Sequence, residues 1–192
     1  MRERDQFHKI AVIGNAGGGK TRLSRRLSEL HQLPVVHVDS IQFLPGMNIR
    51  PQDETRSVLR DVAGRERWLI DGFGPLDLIE QRFQLADQVV FIDFPLWRHA
   101  WWCSKRQIKS FWQRREELPI GCNEATFAHT VKLFKTLWRV HKQMRPELVR
   151  ILQRQNLRGK VIFIQNLKQW NRVYRQGVSR DYLSDFKSIT NR

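Results

Sequence analysis

Cysteine is scarce in this chain, with Cys103 and Cys122 the only two. They form neither a C-x-x-C pair nor an array with zinc-ligand spacing, which argues against a disulfide framework and a structural metal site. They read as ordinary thiols, buried or in a lid. Long hydrophobic stretches are missing too. No apolar run approaches the roughly 18 residues of a spanning helix, and the charged start MRERDQ leads into no signal-peptide core. A cytoplasmic protein without a membrane partner is expected. No internal repeat or low-complexity linker interrupts the 192 residues, a length that suits one domain with a real core. Acidic residues run short in one half only. Residues 1–96 hold 13 Lys/Arg against 13 Asp/Glu, whereas residues 97–192 hold 21 against 6, so the second half carries the whole net charge of +15. Such a field attracts anions: a nucleotide, a phosphorylated substrate or nucleic acid.

Short runs rich in Val and Ile punctuate the chain: KIAVIG (Lys9–Gly14), LPVVHVD (Leu33–Asp39), RWLIDG (Arg67–Gly72), QVVFIDF (Gln88–Phe94) and KVIFIQ (Lys160–Gln165). Apolar on both faces, they predict buried parallel strands. Segments of helical spacing separate them, at Thr21–His31, Gln52–Glu66, Pro75–Leu85, Pro95–Glu117, Glu124–Gln155 and after Asn166. Strand and helix alternate, which predicts an α/β domain with five parallel strands between two helical layers.

Directly after the first strand stands Gly14-Asn15-Ala16-Gly17-Gly18-Gly19-Lys20-Thr21, a complete G-x-x-x-x-G-K-[ST] P-loop opening a helix. Glycines let successive backbone N–H groups turn inward around a phosphate, and the helix N-terminus adds its positive end. Lys20 is expected to reach the terminal phosphates and the Thr21 hydroxyl to ligate Mg²⁺, which makes ATP and Mg²⁺ the expected cofactors.

Asp39, Asp71 and Asp93 end strands, where open α/β sheets bind ligands. WLIDGFGP (Trp68–Pro75) resembles the strand and turn of adenylate kinases, and that likeness implies that Asp71 supports the magnesium through water. Phe73 and Gly74 then border the phosphoryl acceptor. The arginine those kinases carry after F-P is absent, which counts against a nucleoside monophosphate acceptor. VVHVDS resembles the second-strand end of shikimate and gluconate kinase-like enzymes, which implies that Asp39 contacts the acceptor hydroxyl. Asp39 otherwise caps the next segment. Asp93, before Phe94-Pro95, is open between a role at that ligand edge and a cap for the following helix, and His37, between Val36 and Val38, reads as a core or edge residue rather than a ligand.

The order IAVIGNAGGGKT, LPVVHVDSIQFLPG, ERWLIDGFGPLDLIEQRFQLADQVVFIDFPLWR and a basic segment with GCNE is similar to the adenylate kinase-like P-loop proteins of the DNA topology modulation, or FlaR-like, group. The resemblance covers nearly the whole chain and implies a small-kinase fold of the nucleoside and shikimate kinase type, with an ATP site and no defined substrate; it is the motif context that favours a small-molecule phosphoryl acceptor. The group's name adds nucleic acid as an alternative partner. Met47 stands where members carry tryptophan, and Thr21-Arg22 where they carry Ser-Thr.

Such a kinase would use residues 96–124 as its lid. Lys105, Arg106, Lys109, Arg114 and Arg115 concentrate there, with Arg106 the first choice for stabilising transferred charge and Arg114 and Arg115 the second, for holding nucleotide phosphates. Trp97, Trp101, Ile108 and Phe111 or Trp112 recur at helical spacing, predicting a face packed on the domain. In the next helix Phe127, Val131, Phe134 and Trp138 form a second packing stripe beside Lys132, Lys135, Arg139 and Lys142. Arg139 and Arg145 can reach the cleft, and Pro146 bends or restarts this helix. After the last strand, Gln165-Asn166-Leu167 falls where related kinases line the adenine, chiefly with backbone.

Overall fold

A computed structural model describes residues 6–45, 48–110, 127–154 and 157–179. The elements in chain order are β1 (Lys9–Gly14), α1 (Lys20–His31), β2 (Val35–His37), α2 (Val38–Gln42), β3 (Phe43–Leu44), β4 (Asn48–Ile49), α3 (Gln52–Gly64), β5 (Trp68–Asp71), α4 (Leu76–Leu85) and β6 (Gln88–Ile92). Then follow α5 (Leu96–Ser110), α6 (Phe127–Arg139), a π-helical turn (Val140–Met144), α7 (Arg145–Leu152), β7 (Val161–Ile164) and α8 (Leu167–Gln176).

Five strands form one parallel sheet in the order β2-β5-β1-β6-β7. Alternation along each strand divides the core in two. Ala11 and Ile13 of β1, Ile70 of β5 and Phe91 of β6 face α3, α4 and α7, where Leu59, Val62, Ile79, Phe83, Leu148 and Ile151 meet them. Ile10, Val12, Leu69, Val90 and Ile92 point the other way, onto Leu23 and Leu27 of α1 and Trp170 and Val173 of α8. Burying one such aliphatic side chain contributes about 1.5–3 kcal/mol, so strands covered on both faces become continuous apolar runs. The result is the three-layer α/β/α arrangement that the sequence pattern predicts.

The second strand is shorter than its apolar run. It ends at His37, and Val38–Gln42 turn into a helix whose first turn contains Asp39. Beyond it β3 and β4 pair antiparallel as a short hairpin, which sequence periodicity does not reveal.

Two helices present other faces than expected. On α5 the buried residues are His99, Cys103 and Gln107, at i, i+4 and i+8, while Trp97, Trp101 and Ile108 are 63%, 56% and 59% exposed. The inner face lies on the P-loop, where backbone carbonyls and crowded glycines demand polar or small neighbours, and the indoles are turned outward. Phe111 and Trp112 lie outside the described residues. On α6 Leu137 is buried and Trp138 exposed, with Val131 also at the surface. The packed face is offset by one residue from the predicted stripe.

The segment from α6 to α7 is continuous but irregular. Pro146 has no N–H to offer and its ring crowds the carbonyl four residues back. The preceding turn widens, and the Arg145 N–H bonds to the Val140 carbonyl five residues away. Among the described residues no helix is long and apolar enough to cross a membrane.

Candidate functional site

The P-loop runs from the last residue of the central strand to the first turn of α1. Gly14, Gly17 and Gly19 adopt positive φ of 150°, 72° and 74°. Two of them are also held by contact. A Cβ on Gly14 would stand 2.4 Å from the Ile92 carbonyl oxygen, and one on Gly17 would stand 2.6 Å from that of His99 and 2.8 Å from Cys103 Sγ. The loop is thus wedged between β6 and α5 in a form that side chains would prevent.

Polar contacts fix the same loop. Lys20 Nζ donates to the Asn15 carbonyl at 3.0 Å, folding the lysine back over the turn. Asn15 accepts from the Ala16 N–H at 2.8 Å and donates through Nδ2 to the Leu137 carbonyl of α6, also at 2.8 Å. Beneath it, His99 Nδ1 lies 2.8 Å from the Ala16 carbonyl oxygen. That oxygen can only accept, so Nδ1 carries the hydrogen. Burial, with the Lys20 charge adding to it, pushes the His99 pKa down to about 4, so the ring is neutral at pH 7.

On the β5 side, Asp71 is buried at the strand end, in register with Val12 of β1 and His37 of β2. His37 Nδ1 sits 2.8 Å from Asp71 Oδ1. Asp71 Oδ2 is buried with no hydrogen-bond partner among the described residues. The wholly buried Arg82 donates to the Gly72 and Phe73 carbonyls at 2.7 and 3.2 Å, tying down the turn that follows. Desolvation lowers the Arg82 pKa to about 10, against the attraction of Asp71. Asp39, half-buried, stands in the first turn of α2, one position inside the helix whose N-cap is His37.

On the β6 side, Asp93 follows the strand and receives both a 2.5 Å bond from Arg145 Nε and a 2.7 Å bond from its Nη2. The expected helix cap is instead half of a bidentate ion pair, which raises the Arg145 pKa. Asn15, Phe73, Asp93, His99, His141 and Arg145 line a cleft between the P-loop, the β5 turn and the π-helical turn. The sequence pointed Arg145 toward the cleft; it missed His99 and left His37 a bystander. Their signal was a polar residue inside an otherwise apolar strand or buried helix face.

The Arg106 backbone belongs to α5, while its side chain, together with Arg114, Arg115 and Cys122, lies outside the described residues. Cys103 is buried on α5 against the P-loop. Asn166 caps α8, its side chain accepting from the Gln169 N–H at 3.0 Å.

The fold is the α/β P-loop fold of small kinases. A gluconokinase from Sinorhizobium meliloti 1021 shares it with a TM-score of 0.55 at 13% identity, over 95% of this chain and 94% of its own. A shikimate kinase from Acinetobacter baumannii, solved in complex with shikimate, gives 0.56 at 14% identity over 88% and 89% of the two chains. Another, from Bacteroides thetaiotaomicron, gives 0.54 at 15% identity over 88% and 96%. No protein-family model and no curated protein matches the chain.

Proposed function

We propose that the protein is a Mg-ATP-dependent phosphotransferase that moves the γ-phosphoryl group to a small hydroxylated or phosphorylated acceptor. The observation that carries the reading is the P-loop itself: three positive-φ glycines between the central strand and a 12-residue helix, with Lys20 folded over the turn. A chain of backbone N–H groups at a helix N-terminus is a phosphate cradle. The small-kinase fold of the gluconokinase and shikimate kinases agrees with it.

Roles follow from position. The cradle from Gly14 to Thr21 binds the nucleotide phosphates, and Lys20 neutralises charge on the terminal one. Thr21 and Asp71 fit a magnesium, since Asp71 offers a buried carboxylate oxygen that no described protein group uses. Bound there, Mg²⁺ offsets charge on the phosphate oxygens. Asp39 orients the acceptor hydroxyl and takes its proton as the oxygen bonds to the γ-phosphorus; the bond to the β-phosphate bridging oxygen breaks and ADP leaves. Arg106, Arg114 and Arg115 supply lid charge around the transferred group.

The test is ATP consumption by the purified protein with Mg²⁺ across nucleosides, nucleotides, sugars and hydroxy acids, with Lys20→Ala as the control. Turnover with one acceptor that falls about 10³-fold in the variant supports the reading and identifies the substrate. Equal turnover in Lys20→Ala overturns it.

One observation favours a second reading, a nucleotide-regulated nucleic-acid binder. Exposed Trp97 and Trp101 carry cations on their faces, Arg98 at 4.9 Å and Lys105 at 4.8 Å. Indoles flanked by positive charge suit unpaired bases. Steeply salt-dependent binding of single-stranded DNA, lost in Trp101→Ala, with no phosphoryl transfer to any acceptor, would favour this reading.

A further inference from the structure

His37 and Asp71 are direct neighbours across two parallel strands, so their side chains share a face of the sheet at its ligand-binding edge. Both are largely enclosed, with 15% and 6% of the side chains exposed. An ionised carboxylate can only accept, so the 2.8 Å contact puts a hydrogen on His37 Nδ1 and directs it at Asp71 Oδ1. The second oxygen, Oδ2, stays buried without a partner among the described residues. Arg82 donates from Nη2 to the Gly72 and Phe73 carbonyls and acts on Asp71 through its charge. Charge and direction therefore come from different residues. Arg82 supplies the opposite charge, and His37 holds the carboxylate's torsion.

From this geometry we infer that His37 is a positioning residue: it engages one oxygen of Asp71 and leaves the other for the magnesium-bound water of the nucleotide complex. The inference rests on the kinase reading proposed above. Without that hydrogen bond the carboxylate loses the contact that fixes its torsion, and its support for the metal is spread over more orientations. Loss of such an outer contact typically weakens metal affinity about 10–100-fold.

Calorimetric titration of ATP, with Mg²⁺ and with excess EDTA, compares the unaltered chain, His37→Ala and His37→Asn. Asparagine can place an N–H where the imidazole Nδ1–H was. The expected result is a Mg²⁺-dependent gain in ATP affinity that shrinks about tenfold in His37→Ala, returns largely in His37→Asn, and leaves affinity in EDTA unchanged. Nitrogen NMR of the ligand-free protein should show a protonated His37 Nδ1. A full magnesium effect in His37→Ala overturns the inference alone. The same holds if His37→Asn fails like alanine while both variants melt several degrees lower, because that marks a merely structural contact. No Mg²⁺-dependent ATP binding in the unaltered chain would bring down the kinase reading and this inference together.

Discussion

Asp71 and Asp93 stand at the ends of β5 and β6, the two strands that flank the P-loop strand, and their surroundings differ sharply. Arg145 takes both oxygens of Asp93, at 2.5 and 2.7 Å. Asp71 gives one oxygen to His37 and keeps the other buried and unclaimed by the described residues. A carboxylate whose lone pairs are spent on a bidentate clamp is a structural tie. One with a spare oxygen in a low-dielectric site suits the magnesium role proposed above, because a buried acceptor left unsatisfied is costly.

The largest predicted effect falls on the β5 side. Asp71→Asn keeps an acceptor for His37 but removes the charge, and turnover should fall about 10³-fold with little change in thermal midpoint. A variant that melts early but turns over normally would erase the distinction. Asp39→Asn should lower turnover about 10²-fold while ATP affinity, measured by titration, holds. Unchanged turnover would reduce Asp39 to a helix residue. The β6 side should respond in stability instead. Arg145→Ala strands a buried carboxylate and should cost roughly 1–3 kcal/mol in urea unfolding. Adding Asp93→Asn should recover part of that loss, because the stranded charge is gone.

One further effect is visible only against pH. His99 titrates at about 4 when folded against 6.5 for the free side chain. The unfolded chain therefore binds the proton more readily between those values. Stability from this group is full above pH 6.5 and is lost as pH falls toward 4, by up to roughly 3 kcal/mol. His99→Asn, which can keep an N–H toward Ala16, should flatten that slope. An unchanged slope in urea unfolding would show that His99 does not set it.

Much of the fold is legible in the sequence because its strands are buried on both faces. β1, β5, β6 and β7 lie within their Val/Ile runs, and the P-loop sits between β1 and α1 as its spacing demands. The failures have physical causes. β2 stops short of its apolar run because Val38 is buried from a helix, and a helix and a strand bury Val equally well. The two-residue strands β3 and β4 are too short for any period. Trp97 and Trp101 mislead because helical spacing tells which residues share a face but not which face is inward, and α5 turns a polar stripe to the P-loop. Among the candidate site residues, sequence could place Asp71 and Asp93 at strand ends. Only the adenylate kinase resemblance told them apart, because the physical difference lies in His37 and Arg145, one on a neighbouring strand and one 52 residues away.

The π-helical turn before Pro146 gives the chain one residue more than an even helix would spend. Each added residue swings everything beyond it by about 100° around the axis. Arg145 is aimed at Asp93 because of that surplus, so the irregular turn acts as a gear tooth that sets the phase of α7 against the sheet. A chain one residue shorter there would have a more regular helix and a misdirected clamp.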